Sequence, residues 1–209
     1  MSMELTIVSQ IISLIIALTV HEFSHAFVAY KLGDPTAKYS GRLTLNPIKH
    51  LDLFGTILLP LVLILTKAPF VFGWAKPVPV NPYNLRGKHG ESWVSLAGPG
   101  SNFLIAIVIS LLLRFLPDAV LASWTDNFLE LMILLVAINV TFGLFNLIPV
   151  PPLDGSRVLM DCLPPSMNNV KEFLNKYGTI LLMVFILFGG NFLFLGVTFI
   201  LKILLGGVI

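Results

Sequence analysis

An uncharged apolar run from Leu5 to Val20 passes directly into His21-Glu22-Phe23-Ser24-His25. This junction constrains the fold more than any other stretch. A run of that length and polarity enters a membrane as a helix, because a helix satisfies its own backbone there. Two histidines four residues apart then share one helix face, one turn apart, and both rings can bind one metal ion. Glu22 lies close enough to hold a metal-bound water and take its proton. Ionisable groups inside an apolar span cost roughly 2.5–3.5 kcal/mol each and are kept for function. Three of them clustered together point to chemistry rather than packing.

The rest of the chain is equally apolar. Of 209 residues, 56% are hydrophobic and 11% charged, and the mean hydropathy is +0.90. Soluble domains carry about 25% charged residues, so the composition indicates an all-α polytopic membrane protein. There is room for about five to six transmembrane helices. The expected organisation is a single membrane-embedded domain over 1–209. Its core covers about 4–163, and a C-terminal helical hairpin covers about 171–209. The net charge of +2 and the lack of a basic tract give no sign of nucleic acid as a partner. The one cysteine, Cys162, excludes an internal disulfide and a cysteine-only metal site. No positive segment or small-residue cleavage site precedes His21, so the first run reads as a retained span rather than a signal peptide.

The first span runs from about Glu4 to Tyr30 and is stopped by Gly33-Asp34-Pro35. Ala37 to Leu45 alternates loosely and predicts a short cytoplasmic-side strand. Leu53 to Leu65 is short for a span and contains Pro60, and Ala68 to Asn81 is proline-rich. Together Leu53 to Asn81 reads as a re-entrant hairpin lining a cavity; an ordinary short span followed by a surface loop is the alternative. Further spans are expected from about Ser92 to Leu116 and Phe128 to Leu147. Small residues around Gly98 to Asn102 would let another helix approach closely. Ser156 to Tyr177 is amphipathic and polar. Two short apolar runs, Gly178 to Phe188 and Phe192 to Leu205, close the chain.

Lysine and arginine set the orientation. None precedes the first span. Lys31, Lys38, Arg42 and Lys49 follow it, Lys76, Arg86 and Lys88 precede Ser92, and Arg157, Lys171 and Lys176 follow Gly155. The N-terminus is therefore expected outside a cell (inner) membrane, with the site towards the cytoplasmic side. An even number of crossings between the first two spans favours the hairpin.

Catalytic zinc sites use three protein ligands plus water, and the motif supplies two. His50 and His89 lie in polar segments. Asp154 is the strongest candidate for the third, because it closes an apolar helix behind two prolines, and Gly155 permits a tight backbone.

The two elements together, His21-Glu22-x-x-His25 and Asn146-Leu-Ile-Pro149-Val-Pro151-Pro-Leu-Asp154-Gly155, resemble the site-2 protease family of intramembrane zinc metalloproteases. Ala97-Gly98-Pro99, Asn46 to Asp52 and Gly73 to Pro82 resemble its compact bacterial and archaeal branch. The resemblance implies a Zn2+ ion, one per chain, held by His21, His25 and Asp154. It implies Glu22 as the catalytic glutamate and Asn146 as a polar active-site residue. It also implies a transmembrane protein substrate cut within the lipid bilayer. Many members carry a PDZ or CBS module, and none is recognisable in this sequence.

On that basis Asn146 is the candidate oxyanion donor, with a helix–helix hydrogen bond as its alternative role. His50 is a candidate for supporting a ligand or holding a proton, or is a solvated interfacial histidine. Asn139 reads as structural. A helical substrate must be unwound, and either Tyr39 to Leu45 or Val78, Val80 and Asn81 would pair with it by strand addition. Two other functions fit the same composition. One is a non-proteolytic relative that binds membrane segments, which loss of the glutamate would mark. The other is a metal transporter, which would usually show repeats or broken helices at mid-membrane.

Overall fold

The computed structural model describes residues 3–58, 62, 65, 66, 76–122 and 124–206. Six helices carry the architecture: α1 Met3–Lys31, α2 Gly90–Phe115, α3 Asp126–Asn146, α4 Asp154–Cys162, α5 Asn168–Phe188 and α6 Gly190–Leu205. Among the described residues there is no strand. Three helices are long and apolar enough to cross a membrane: Val8–Lys31, Gly90–Phe115 and Asp126–Asn146. A fourth crossing is available if α5 and α6, bent by 70°, count as one broken span. Three to four candidate spans thus stand where the composition suggested five to six helices. The difference lies at the C-terminus, where α5 takes in the polar residues from Asn168 onward and bends against α6 at Gly189. Large apolar side chains there face outward, Phe188 at 80% and Phe192 at 81% exposure. Water does not tolerate such a surface, whereas lipid does.

Helices α1, α2 and α3 pack against one another. The α1–α2 seam follows from residue size. On α1 the buried positions Ser13, Ala17, His21, His25 and Ala29 recur every fourth residue, as do Val94, Gly98, Asn102, Ala106 and Ser110 on α2. These stripes let the two backbones approach closely. His25 pairs with Val94 and His21 with Asn102, so numbers fall on one helix as they rise on the other and the pair is antiparallel. The apolar core, Ala106, Leu113, Val136, Val140 and Leu205, lies further along α2, beyond Asn102 from the histidines. Helix ends have local causes. Thr125 caps α3 by accepting from Phe128 N. Leu116 and Leu163 are extended at the ends of α2 and α4 because prolines follow them.

The strand expected over Ala37 to Leu45 does not form. Asp34 Oδ1 accepts from both the backbone N–H and the hydroxyl of Thr36. This nucleates a one-turn helix, Thr36–Tyr39, which Gly41 ends with φ +67°. The proposed hairpin from Leu53 to Asn81 falls largely outside the described residues. Of it, Leu53–Leu58 forms a helical turn that begins on Asp52, whose carboxylate accepts from Phe54 N and Gly55 N. Lys76 to Asn81 forms neither helix nor strand.

Candidate metal centre

His21 and His25 stand one turn apart on α1, with their rings edge to face and centroids 4.6 Å apart. Each ring is fixed by its Nδ1. His25 Nδ1 lies 2.6 Å from Val94 O, and His21 Nδ1 lies 2.7 Å from Asn102 Oδ1. Both partners are oxygens that only accept, so each Nδ1 carries a hydrogen and donates it. In the neutral ring this leaves the Nε2 lone pair free. Both Nε2 atoms face the same oxygen, Asp154 Oδ2, at 3.1 and 3.2 Å. The ligand atoms of His21, His25 and Asp154 all lie within 4.8 Å of one another. Among the described residues this is the one cluster of three such side chains that could hold a metal.

That arrangement calls for a cation. Two lone pairs and a carboxylate oxygen repel one another unless extra protons or a metal ion stand between them. Tetrahedral zinc, with bonds of 2.0–2.1 Å, spaces its ligands about 3.3 Å apart, close to what is seen. Two imidazoles and one carboxylate suit zinc and leave a fourth position open. Gly98 preserves the room. A Cβ there would lie 2.4 Å from His25 Nε2 and 2.6 Å from His21 Nε2. The floor of the site is therefore bare backbone of α2. Phe142 of α3 closes one side, its ring centroid 4.9 Å from that of His21.

The third ligand reaches the site through a tight reversal. Helix α3 ends at Asn146, the chain turns through Pro149 to Pro152, and Asp154 opens α4. Gly155 packs against the end of α3, where a Cβ would fall 2.1 Å from Leu147 O. Only glycine lets the first turn of α4 tuck in there. Further along, Ser92 Oγ donates to Asp161 Oδ2, and His89 Nδ1 lies 2.9 Å from the same oxygen. These contacts pin α4 to the start of α2.

Glu22 is partly exposed, and its Oε2 accepts from Val78 N at 3.1 Å. The segment carrying Val78 is held against the end of α1. Buried Asp34 accepts from Asn81 N at 2.7 Å and Asn84 Nδ2 at 2.9 Å, and Arg86 N donates to Leu32 O at 2.8 Å. Burial alone would raise the Asp34 carboxyl; the bonds from Asn84, Thr36 and Asn81 outweigh it and hold the group below its ordinary value. Lys76 N donates to His50 O, and buried Arg42 donates to Lys49 O and Lys76 O.

The structure thus brings His21, His25 and Asp154 together, and places Glu22 on the segment that contains Val78, Val80 and Asn81. Asn146 is half-buried at the end of α3, with its Nδ2 donating to Phe142 O of its own helix. His50 is fully buried in the loop, its Nε2 2.8 Å from Thr44 O, and is not among the clustered ligands. Two residues that matter here were read from the sequence only as small or polar helix positions. These are Gly98, beneath both Nε2 atoms, and Asn102, on the His21 ring. The four-residue spacing of Gly98 and Asn102, matching that of His21 and His25, is the signal that could have found them.

Comparison with known proteins places this geometry in context. Peptidase family M50 matches residues 9–185. The chain is 42% identical over 178 residues to a Bacillus subtilis protein provisionally named zinc metalloprotease YwhC, covering 83% of this chain and 78% of that one. It is 31% identical over 173 residues to Rip2 of Mycolicibacterium smegmatis, whose name carries the same provisional description, and spans 64% of its length. It is 27% identical over 182 residues to zinc metalloprotease MJ0392 of Methanocaldococcus jannaschii, spanning 42% of that protein. No solved structure matches the chain.

Proposed function

Because the chain belongs to peptidase family M50 and is a peptide hydrolase of the zinc metalloprotease kind, we propose that it cuts transmembrane segments of other proteins within the bilayer. One zinc ion is held by His21, His25 and Asp154. The observation that carries this reading is the convergence of three lone-pair donors around Gly98, on helices apolar enough to cross a membrane. The sequence of basic segments supports an N-terminus outside and a site opening towards the cytoplasm.

Bound zinc supplies Lewis acidity, polarising the scissile carbonyl and acidifying a water. Glu22 takes the proton from that water and returns it to the leaving amine. Its Oε2 bond to Val78 N fixes the carboxylate while leaving Oε1 to work. Asn146 donates to the developing oxyanion after its amide turns away from Phe142 O. The substrate lies extended along Val78, Val80 and Asn81. Pro77 and Pro79 have no N–H. The N–H of Val78 is taken by Glu22 and that of Asn81 by Asp34. Among the described residues Val80 N–H makes no hydrogen bond, so it is the donor left for an incoming strand. His50, bonded to Thr44 O, supports the loop behind this edge rather than a ligand.

Cleavage of a transmembrane test protein in proteoliposomes, together with the zinc content of the same samples, tests the proposal. Wild type should hold about one zinc per chain and cut. Glu22→Gln should keep the zinc and lose activity by at least about 10²-fold. Asp154→Ala should lose both. Undiminished cleavage by Glu22→Gln, or zinc retained by Asp154→Ala, would refute it.

A further inference from the structure

Metal sites work when their ligands present lone pairs, and a histidine has two tautomers of which only one does so at a given nitrogen. His25 is settled by a backbone carbonyl, Val94 O, which cannot change roles. His21 is settled by a side-chain amide, Asn102, and an amide can flip to present its NH2 instead. Something must hold that amide the right way round.

Asn102 is fully buried, and its Nδ2 has two partners: Ala17 O at 3.0 Å and Asn139 Oδ1 at 2.9 Å. Asn139, also fully buried, directs its own Nδ2 to Leu135 O at 2.8 Å. The chain of bonds has one direction. Leu135 O only accepts, so the atom facing it is the Asn139 nitrogen and the Asn139 oxygen faces Asn102. Ala17 O and Asn139 Oδ1 both accept, so the Asn102 atom between them is the nitrogen. Its oxygen is therefore left for His21, whose Nδ1 must donate. A flip of either amide would set oxygen against oxygen in a buried site, where an unmade hydrogen bond is costly.

We propose that Asn102 and Asn139 form a positioning relay. Starting from main-chain carbonyls on α1 and α3, it fixes His21 as the Nδ1–H tautomer and keeps its Nε2 lone pair on the metal. The inference rests on the metal centre proposed above and extends it to two residues that touch neither the metal nor the substrate. It also explains why two asparagines lie in an otherwise apolar three-helix contact: each amide satisfies the next, and none is spare.

The test uses the full chain in detergent, loaded with zinc or with cobalt alone. Zinc affinity is read by competition with a chromophoric chelator, and ligand geometry by the visible spectrum of the cobalt form. Asn102→Leu should weaken zinc binding about 10–100-fold and alter the cobalt spectrum. Asn139→Leu should shift both in the same direction by less. Asn139→Asp, protonated in this buried place, keeps one acceptor for Asn102 and one donor for Leu135 O, and should restore wild-type affinity and spectrum. If Asn102→Leu does not fold, the Asn139 pair decides. Equal affinity of wild type and both leucine variants would overturn the relay while leaving the metal centre intact. A wild type that binds no zinc would overturn both.

Discussion

Gly98→Ala is the sharpest perturbation of this site. Ordinary van der Waals contact begins near 3.4 Å, and the new Cβ would meet His25 Nε2 at 2.4 Å and His21 Nε2 at 2.6 Å. The methyl group falls about 1 Å short of the room it needs, against the two atoms that must approach zinc to 2.0–2.1 Å. Neither ring can swing away cheaply, since His25 is tied to Val94 O and His21 to Asn102. Helices α1 and α2 must part instead, an overpacking cost of about 1–3 kcal/mol, and the methyl occupies space next to the metal. Zinc binding should weaken by more than about 100-fold, beyond the effect of disturbing an outer hydrogen bond. Gly100→Ala is the control two residues away. Nothing lies within 4 Å of a Cβ there, and an alanine in a helix should be neutral or stabilising by about 0.5–1 kcal/mol. The assay is zinc stoichiometry and chelator competition on detergent-purified protein, with thermal unfolding alongside. Gly98→Ala holding zinc as tightly as wild type would show that the metal does not sit between these rings and α2.

Gly155→Ala should misplace the third ligand, because a Cβ 2.1 Å from Leu147 O forces α4 off the end of α3; zinc occupancy should fall while α1 and α2 remain paired, as seen by crosslinking between them. Val80→Pro removes the uncommitted donor beside the catalytic glutamate and should reduce cleavage by roughly 10-fold or more with zinc unchanged, since one interfacial hydrogen bond contributes about 0.5–1.5 kcal/mol. Acid should loosen the Lys76–Arg86 segment first. The Asp34 carboxyl titrates below its unfolded value, so its stabilisation is full above that unfolded value and vanishes as pH falls through the folded one. Hydrogen exchange of residues 76–86 should then rise at acid pH before exchange in α1 does, and Asp34→Asn should flatten that pH response.

What could be read from the sequence was whatever a single helix determines. The four-residue spacing of His21 and His25, and their place at the end of an uncharged run, specify two ligands on one face at one depth. Asp154 was accessible because a proline-rich stop and a glycine mark where a chain can turn a carboxylate inward. Asn102 was not, since its role depends on the register between α1 and α2, which neither helix encodes alone. The expected strand at Ala37 to Leu45 failed for a similar reason. Its alternation was real, but Asp34 lies outside the window and captures Thr36 from the side. At the C-terminus, polar residues from Asn168 to Tyr177 read as a loop before an apolar run. The backbone treats them as the first half of α5, because amphipathic residues continue a helix as readily as apolar ones.

The 133 residues that separate His21 from Asp154 also set an order of events during synthesis. When the first helix leaves the ribosome it carries two ligands and a base, yet the cluster lacks its third donor until α3 has entered the membrane and the turn at Pro149 to Pro152 has followed it. The chain therefore threads most of its own apolar segments past a centre that is still incomplete. Capture of the metal closes that long loop as a final clasp, so the same ion that equips the site also marks the moment at which its bundle is finished.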